Sequence, residues 1–344
     1  MVAMNIGFYR AGLIGDNIVV LHAIYALRYL YKDANIVVYT NSVGGKGIDL
    51  YRQFTFIDSM VDVESMSNEM LINNINLNNF DVFILTQPNR SKCKLLAQTT
   101  CKRIITFMTF TNGLNHRFES IFVSKLSHMP QYKRMLKLVR KIDPKHYDDK
   151  IDTIDYSPIR FKSNDSNKAR IQSFVKANNI QQKIVIVNPF VRSTFCNLTL
   201  HGYKILLHKL SEMYPNLHFV IPTYEGNNKG NMELSSPQVL DNVSIFYNNG
   251  DIINLVALLE ESIALISPST AISHLANNLN VPLILLCSKR DSHLWSGDNM
   301  NPNYFVILHK VMQKMNETDD AVAIKKIVEK LEDIIHLTQY NKIV

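Results

Sequence analysis

The fold is indicated by the first stretch of the chain, residues 5–16, which reads NIGFYRAGLIGD. Residues 5–9 form a short, mainly apolar run, and the turn that follows contains Gly12 and Gly15. From about Asn17 to Tyr31, apolar residues recur at the three- and four-residue spacing of an amphipathic helix. A strand, a glycine-containing turn and a helix in this order are typical of a doubly wound α/β domain.

Further apolar runs repeat this pattern along the chain. The strand-like runs are nearly all apolar, as expected of parallel strands that are covered on both faces. They lie at residues 35–40 and 80–85 in the first half, and at 183–187, 217–222, 263–267 and 282–287 in the second half. Helical patterns separate the later runs, at about 166–178, 200–213, 252–261 and 270–279.

The length of 344 residues predicts two domains. A polar stretch without periodicity lies between Asp143 and Asn167, so we place the domains at residues 1–165 and 166–344. We predict an α/β fold of two doubly wound Rossmann-like domains that face each other across a cleft, where ligands bind at the carboxyl ends of the strands. A final helix near 320–337 is expected to complete the second domain or to cross back to the first.

The composition excludes several classes of protein. With 46% hydrophobic and 19% charged residues, the chain can bury sizeable cores, which excludes disordered and fibrous proteins. The four cysteines form no CxxC pair and have no His at metal-ligand spacing, so a disulfide framework and a zinc module are not supported. No apolar run is long enough to span a membrane, and the start lacks the order of a signal peptide. We therefore expect a cytoplasmic protein.

Positive charge is concentrated in the first half of the chain. Residues 88–145 contain thirteen Lys and Arg residues, with only Glu119 and Asp143 on the acidic side. This stretch is expected to attract phosphate, anionic sugar, nucleic acid or a membrane surface, the alternative being a solvated basic face without a ligand. Its last part, about 125–142, has the pattern of a basic amphipathic helix, which would rest peripherally on an anionic membrane. Nucleic-acid binding is not favoured, because the stretch lacks interleaved aromatic residues or a known motif.

The first candidate for chemistry is Asp16, at the end of the glycine-containing turn. The turn is not GxGxxG, so it does not predict a dinucleotide site. An Asp at the start of a helix is commonly a cap that the helix dipole stabilises. The functional alternative is a general base that takes the proton of an acceptor hydroxyl.

The second candidate is the segment 267–276, SPSTAISHLA, where a strand leads through a hydroxyl-rich turn into a helix. With Ser267 or Ser269 as its cap, the helix start would offer amide and hydroxyl donors to a pyrophosphate. His274, one turn into the helix, would add a donor, the alternative being a capped helix with a packed His.

Two loops are predicted to lie at the same crevice as this segment. The loop after the strand 183–187 offers Asn188, Ser193 and Thr194, and the loop after 217–222 offers Glu225 as an acceptor for sugar hydroxyls. Each is an ordinary surface loop when taken singly, and their convergence on one crevice favours nucleotide binding.

These motifs resemble those of the lipopolysaccharide heptosyltransferases, glycosyltransferase family 9, which have the GT-B fold. Residues 10–16, RAGLIGD, followed by 21–24, LHAI, look like the opening of the family. Residues 269–276, STAISHLA, followed by 280–282, NVP, resemble its Asp-Thr-Gly-x-x-His-x-Ala signature and the strand after it. The resemblance covers roughly residues 4–45 and 183–300.

The resemblance implies transfer of a sugar, ADP-heptose being the donor in characterised members, to the inner core of lipopolysaccharide, without a metal or other cofactor. By resemblance, Asp16 is the catalytic base of an inverting reaction. The donor-site residues are Asn188, Ser193, Thr194, Glu225, Ser269, Thr270, Ala271 and His274. The acceptor-site residues are Arg10, Gly15, Arg90, Lys92 and Lys94, of which the last three lie in the basic stretch and suit an anionic lipid-linked acceptor.

The sequence also departs from the family pattern. Ser269 and Ala271 replace the Asp and the Gly of the signature, and Cys196 and Leu198 stand near the positions of a Lys and a Trp that many members have. The phrase around Trp295, residues 293–297, resembles a loop on the donor side. Two alternatives therefore stay open: a transferase that uses another nucleotide sugar, and a catalytically silent protein that binds a sugar nucleotide or lipopolysaccharide.

Overall fold

The computed structural model describes residues 4–43, 45–122, 126, 128–191, 196–224, 240–308 and 315–340. The chain divides into two compact units, residues 1–160 and 161–344. This division falls slightly before the boundary expected from polarity, because Phe161 and Ser163 pack with the second unit. The Phe161 amide donates a hydrogen bond to Oδ1 of Asn278 at 2.9 Å, and the Ser163 hydroxyl donates to the Glu260 carboxylate.

Unit 1 alternates strands with helices. Its strands are β1 Asn5–Tyr9, β2 Asn35–Thr40, β3 Ser59–Asp62, β4 Val82–Leu85, β5 Arg103–Phe107 and β6 Phe118–Ile121. Its helices are α1 Ile14–Val19, α2 Leu21–Leu30, α3 Gly47–Tyr51, α4 Asn68–Leu77, α5 Arg90–Leu96, α6 Gln131–Arg140 and α7 Pro144–Lys150. Short 3₁₀ turns lie at Val63–Ser65, Ile151–Thr153 and Ser157–Ile159.

The sheet of unit 1 has six parallel strands in the order β3-β2-β1-β4-β5-β6. Ile6 of β1 lies opposite Ile36 on one side and Val82 on the other, so β1 is central and apolar on both faces. The strand order reverses between β1 and β4. In doubly wound sheets this reversal opens a crevice at the carboxyl ends of the two strands.

Unit 2 also alternates strands with helices. Its strands are β7 Lys183–Val187, β8 Leu217–Tyr224, β9 Val243–Asn248, β10 Ser262–Pro268, β11 Leu283–Cys287 and β12 Phe305–Ile307. Its helices are α8 Asp165–Ala177, α9 Leu200–Met213, α10 Ile253–Glu260, α11 Ala271–Asn278, α12 Lys289–Leu294 and α13 Glu317–Tyr340, with a 3₁₀ turn at Pro302–Tyr304.

The sheet of unit 2 is also parallel, with the order β12-β11-β10-β7-β8-β9, so it reverses between β7 and β10. The final helix, α13, belongs to this unit. Ile324, Ile327 and Leu331 lie in its core against α9 and the sheet, so α13 completes the second unit. The first turn of α13 is also fixed to α9, because Asp320 accepts hydrogen bonds from the amide and the hydroxyl of Thr199, the N-cap of α9.

Several elements differ from the sequence-based expectations. The predicted helix at 17–31 is two helices that meet at Val20. The basic helix expected at 125–142 begins at Gln131, because Pro130 restricts the residue before it to extended backbone and therefore limits a helix to positions after it. Its apolar residues Met135, Leu138 and Val139 are fully buried in unit 1.

An asparagine with a positive φ angle follows three of the described helices. These are Asn79 after α4, Asn179 after α8 and Asn280 after α11, with φ angles of 46°, 50° and 60°. Asn tolerates this left-handed conformation better than most residues, so it stops a helix much as Gly does. No helix in the described part of the chain is long and apolar enough to cross a membrane. All four cysteines are buried free thiols.

Candidate functional sites at the two strand-order reversals

The first candidate site lies at the carboxyl end of β1 in unit 1. Arg10 follows β1 directly, and its amide donates to the carbonyl of Tyr39 at 2.8 Å, which continues the ladder between β1 and β2. The Arg10 side chain is fully buried, and its Nη2 donates to Oδ1 of Asp16 at 2.5 Å. Burial lowers the pKa of the Arg10 guanidinium, and the Asp16 carboxylate opposes that shift. Since an Arg side chain in a protein stays protonated, Arg10 fixes the carboxylate with a full positive charge.

Asp16 is not the N-cap of α1, as one of its two interpretations expected, because Leu13 takes that position. It is the third residue of α1, and its Oδ2 accepts the amide of Leu13, the N-cap, at 3.1 Å. Its side chain nevertheless keeps 18% of its surface exposed to solvent. The carboxylate therefore accepts a backbone amide at the start of α1 and is still partly exposed to solvent.

The turn before Asp16 depends on two glycines that approach other groups closely. A Cβ on Gly12 would lie 2.8 Å from the Cβ of Asp16, and a Cβ on Gly45 would lie 1.8 Å from the carbonyl oxygen of Gly12. Buried Asn17 and Asn41 connect the same two segments. Asn17 donates to the Gly45 carbonyl at 3.1 Å, and Asn41 donates to the Gly12 carbonyl at 3.0 Å. Sequence reasoning missed Asn41 and Gly45, because they lie on the separate loop after β2.

The predicted acceptor residues are placed in two groups. Gly15 lies in α1 beside Asp16. Lys92 of α5 points toward β1: its Nζ lies 4.9 Å from the centre of the Tyr9 ring. Burial lowers the pKa of the Lys92 ammonium, and the charge of Arg10 lowers it further. Lys92 therefore adds a second positive charge near Arg10.

Arg90 and Lys94 lie on a different face of α5. They line an open groove of about 720 Å³ together with Phe110, Phe118 and uncharged side chains of α5 and of the loop after β5. The three basic residues that the sequence grouped together thus belong to two different surfaces of unit 1.

The second candidate site lies where the strand order of unit 2 reverses, between β7 and β10. Asn188 follows β7. Its side-chain nitrogen Nδ2 donates hydrogen bonds to the hydroxyls of Ser267 at 3.0 Å and Thr270 at 3.2 Å. The backbone amide of Asn188 donates to the carbonyl of Ile266 at 2.9 Å. Asn188 therefore joins the two strand ends and orients the hydroxyl-rich turn.

The helix after this turn is capped by Thr270, and not by Ser267 or Ser269 as expected. Thr270 has extended backbone, with φ −143°, and Ser273 forms the reciprocal half of a capping box. Ser267 cannot act as the cap, since it is still part of β10 and its hydroxyl donates to the Pro268 carbonyl at 2.8 Å. Ser269 lies just before the cap and is partly exposed.

Ala271 is the first residue of α11, and His274 lies one turn further along it. His274 is 7% exposed, and its ring packs edge-to-face against Trp295, with the ring centres 5.8 Å apart. The segment 293–297 around Trp295 therefore contacts the segment 269–276, which carries the signature-like motif.

A pocket of about 180 Å³ lies beside this turn, in the same unit. The pocket is mainly apolar, with an exposed Tyr224 ring and a glycine, Gly250, at φ 92°. Its lining comprises Asn188, Phe190, Pro222, Thr223, Tyr224, Asn248, Gly250, Leu255 and Ile272. Apolar walls next to a polar turn suit a planar base with an attached anion. Except for Asn188, the sequence did not identify these residues, because they come from four separate segments.

Three predicted donor residues, Ser193, Thr194 and Glu225, lie outside the described residues. Within the described ranges, no group of three or more His, Cys, Asp or Glu side chains is placed to hold a metal ion.

The chain matches no protein-family model and no curated protein sequence. Among solved structures, it is similar to a family 9 glycosyl transferase from Veillonella parvula, with a TM-score of 0.74, 11% identity, and coverage of 96% of this chain and 97% of that one. It is also similar to the E. coli ADP-heptose LPS heptosyltransferase II, with a TM-score of 0.70, 12% identity, and coverage of 98% and 100%.

A third similar structure is the E. coli heptosyltransferase WaaC with ADP, with a TM-score of 0.63, 10% identity, and coverage of 95% and 99%. At such low identity these similarities establish the fold. The chain has the GT-B fold, with two doubly wound Rossmann-like units, as the sequence predicted.

Proposed function

We propose that this protein is an inverting glycosyltransferase that moves a sugar from a nucleotide donor to an anionic, lipid-linked acceptor. The observation that carries the proposal is Asp16, a partly exposed carboxylate that a fully buried Arg10 fixes at the strand-order reversal of unit 1. Burying a cation beside a partly exposed carboxylate is costly for folding, and charged pairs of this kind are common at functional sites.

In the proposed reaction Asp16 acts as general base. It takes the proton of an acceptor hydroxyl, and the hydroxyl oxygen forms a bond to the anomeric carbon of the donor sugar. The bond from that carbon to the diphosphate breaks on the opposite side, which inverts the configuration. Lys92, close to Arg10 and Tyr9, would attract the anionic groups of the acceptor.

Unit 2 is the proposed donor site. The start of α11, with the Thr270 hydroxyl and its peptide dipoles, would hold the diphosphate, and the pocket beside Tyr224 would take the base. These groups would stabilise the leaving diphosphate, so we expect no divalent metal or other cofactor to be required. Ser269, Ala271 and His274 would contact the diphosphate or the donor sugar.

Heptose from ADP-heptose is the proposed sugar, and the inner core of lipopolysaccharide the proposed acceptor. The donor is supported by the sequence resemblance at residues 10–16 and 269–276 and by the structural similarity to an ADP-heptose LPS heptosyltransferase. The acceptor is supported by the basic stretch 88–145. A different nucleotide sugar would leave the mechanism unchanged.

The test is a transfer assay with nucleotide sugars and a lipid-linked acceptor, on the wild type and on Asp16→Asn. We expect the variant to lose transfer by about 10²-fold or more while it keeps its nucleotide affinity. Asp49→Asn is a suitable control, since Asp49 is an exposed carboxylate of α3 in the same unit. The nucleotide should be chosen from a thermal-shift panel of ADP, UDP, GDP and CMP. A ligand at a hundred times its dissociation constant adds about 2.7 kcal/mol to the native state. Unchanged turnover in folded Asp16→Asn would refute the mechanism.

One observation favours a second function, a catalytically silent binding protein. Both oxygens of Asp16 already accept hydrogen bonds, from Arg10 and from the Leu13 amide. A silent protein would be stabilised by a nucleotide yet would neither transfer nor hydrolyse any donor sugar, so turnover of a donor excludes it.

A further inference from the structure

Two large apolar side chains on unit 1 are completely exposed. Phe110 is 100% and Leu114 is 99% exposed, and both lie on the loop between β5 and β6. The loop lies next to the groove that Arg90 and Lys94 of α5 line. We refer to Phe110, Leu114, Arg90 and Lys94 as the Phe110 surface. A pair of apolar side chains with almost no contact to their own chain is unusual for a protein surface and points to a binding partner.

The loop that carries these residues is internally organised. Buried Asn112 accepts the amide of Thr109 at 2.8 Å and donates to the carbonyl of Phe107 at 2.9 Å. The amide of Gly113 also donates to the Thr109 carbonyl, at 3.0 Å. Hydrogen bonds therefore hold the turn in a shape that directs the tips of Phe110 and Leu114 outward, so their exposure is a feature of the fold.

The charge beside the apolar tips is positive. Among the residues that the structure describes, no Asp or Glu lines the groove that holds Arg90 and Lys94. Other cations of the basic stretch are already paired: Lys102 with Asp81, Arg103 with Glu119, and Arg140 with Asp148. Arg90 and Lys94 therefore contribute to a positive potential that an anionic surface can use.

The basic helix α6 does not offer the same combination. Its lysines include exposed Lys133, but Met135, Leu138 and Val139 are fully buried against the rest of unit 1. A helix that lies on a membrane needs apolar side chains that can enter it, and these three apolar side chains of α6 are already buried in the protein. The membrane contact expected from the sequence of this helix is therefore better placed on the loop between β5 and β6.

We propose that the Phe110 surface docks on an anionic lipid bilayer. Phe110 and Leu114 enter the boundary between headgroups and acyl chains, and Arg90 and Lys94 bind lipid phosphates. Apolar tips with cations beside them are the composition of sites that bind at membrane interfaces, where burial of apolar area and attraction to anionic lipid add together. The docking does not depend on glycosyl transfer, so a failure of the proposed reaction leaves it unaffected.

The test is sedimentation of the full chain with vesicles of phosphatidylglycerol and phosphatidylcholine, and with vesicles of phosphatidylcholine alone. We expect binding to the anionic vesicles that weakens at high salt. Phe110→Ser and Leu114→Ser are each expected to lower the partition coefficient about tenfold, because one large apolar side chain no longer enters the interface. Arg90→Gln and Lys94→Gln are each expected to lower it about fivefold.

Two matched controls separate this surface from general effects. Leu77→Ser removes an 85% exposed Leu from α4 of the same unit, and Lys133→Gln removes an exposed cation from α6. Neither is expected to change vesicle binding by more than about twofold. A further probe is Phe110→Trp in a Trp295→Phe background, whose fluorescence should shift to the blue with anionic vesicles.

Three results would overturn the proposal: no binding to anionic vesicles at low salt, equal losses in Leu77→Ser and Leu114→Ser, or no blue shift from a tryptophan at position 110. Binding of an acidic protein at this surface in the absence of vesicle binding would likewise replace the bilayer by a protein partner.

Discussion

Replacing Asp16 by Asn leaves the guanidinium of Arg10 buried without its carboxylate. Arg10 is 0% exposed, and its Nη2 lies 2.5 Å from Oδ1 of Asp16. Removing one partner of a buried ion pair costs about 3–5 kcal/mol, because the remaining charge keeps its desolvation penalty and loses its attraction. We expect about 3 kcal/mol here, at the lower end, since the Asp16 side chain is 18% exposed and solvent screens part of the pair.

This loss is measurable as a thermal shift. For a unit of this size, 1 kcal/mol corresponds to roughly 2–4 °C, so the transition that includes unit 1 should fall by about 6–12 °C in Asp16→Asn. Calorimetry of the full chain measures the shift. The activity of this variant must therefore be assayed well below its transition, where loss of transfer reports chemistry and not unfolding.

A double-mutant cycle with Arg10→Met separates the ion pair from the cap. Asp16 also accepts a hydrogen bond from the Leu13 amide. The contribution of this hydrogen bond to stability is present with either Arg or Met at position 10, so it cancels in the cycle. Arg10→Met combined with Asp16→Asn removes the buried positive charge, so the double variant should be more stable than the sum of the two single losses implies, by about 2 kcal/mol. A shift below about 2 °C for Asp16→Asn, or additive losses, would show that the pair is not energetically coupled as its burial implies.

Three further predictions concern other parts of the structure. Gly45→Ala should destabilise unit 1 by roughly 1–3 kcal/mol in chemical denaturation, because its Cβ would lie 1.8 Å from the Gly12 carbonyl; a neutral change would mean that the loop moves freely. The Arg103 guanidinium holds the pKa of Glu119 below its usual range, so this pair stabilises the fold above the ordinary Glu pKa and the contribution is lost as pH falls through the lowered value. Acid titration of stability should therefore be less steep in Glu119→Gln, and an unchanged slope would contradict it. Trp295 is the only Trp of the chain and lies in unit 2, so a bound nucleoside diphosphate should change intrinsic fluorescence in the wild type and not in Trp295→Phe.

The central strands and the longer helices of unit 2 could be predicted from the sequence, whereas α3, α4, α5, α7 and α12 were not predicted. Strands such as β1, β2 and β7 are short apolar runs, because a strand that is buried on both faces needs apolar side chains on both. The helices after β1 and β7 show regular apolar spacing, whereas α3 after β2 has only five residues and was not predicted. Apolar runs and apolar spacing are local patterns, so they can be recognised without knowledge of the rest of the chain.

The strands toward the sheet edges were missed for a physical reason. β3 and β9 are exposed or only partly buried along most of their length, so their sequences do not need the apolar run that identifies a strand. β5 is buried, but it begins at Arg103 within the basic stretch, where charge hides its short apolar core. β12 has only three residues.

For the candidate sites, the sequence determined which residue types were available: a carboxylate after the first strand, a hydroxyl-rich turn after a later one, and a basic stretch in the first half. Only the tertiary structure decided their neighbours. It buried Arg10 against Asp16, brought Trp295 to His274, and divided the basic residues of α5 between two faces. The physical reason is that strand periodicity and helix spacing act over a few residues, whereas the partners of a charge or a ring are chosen by how the sheet order brings distant strand ends together.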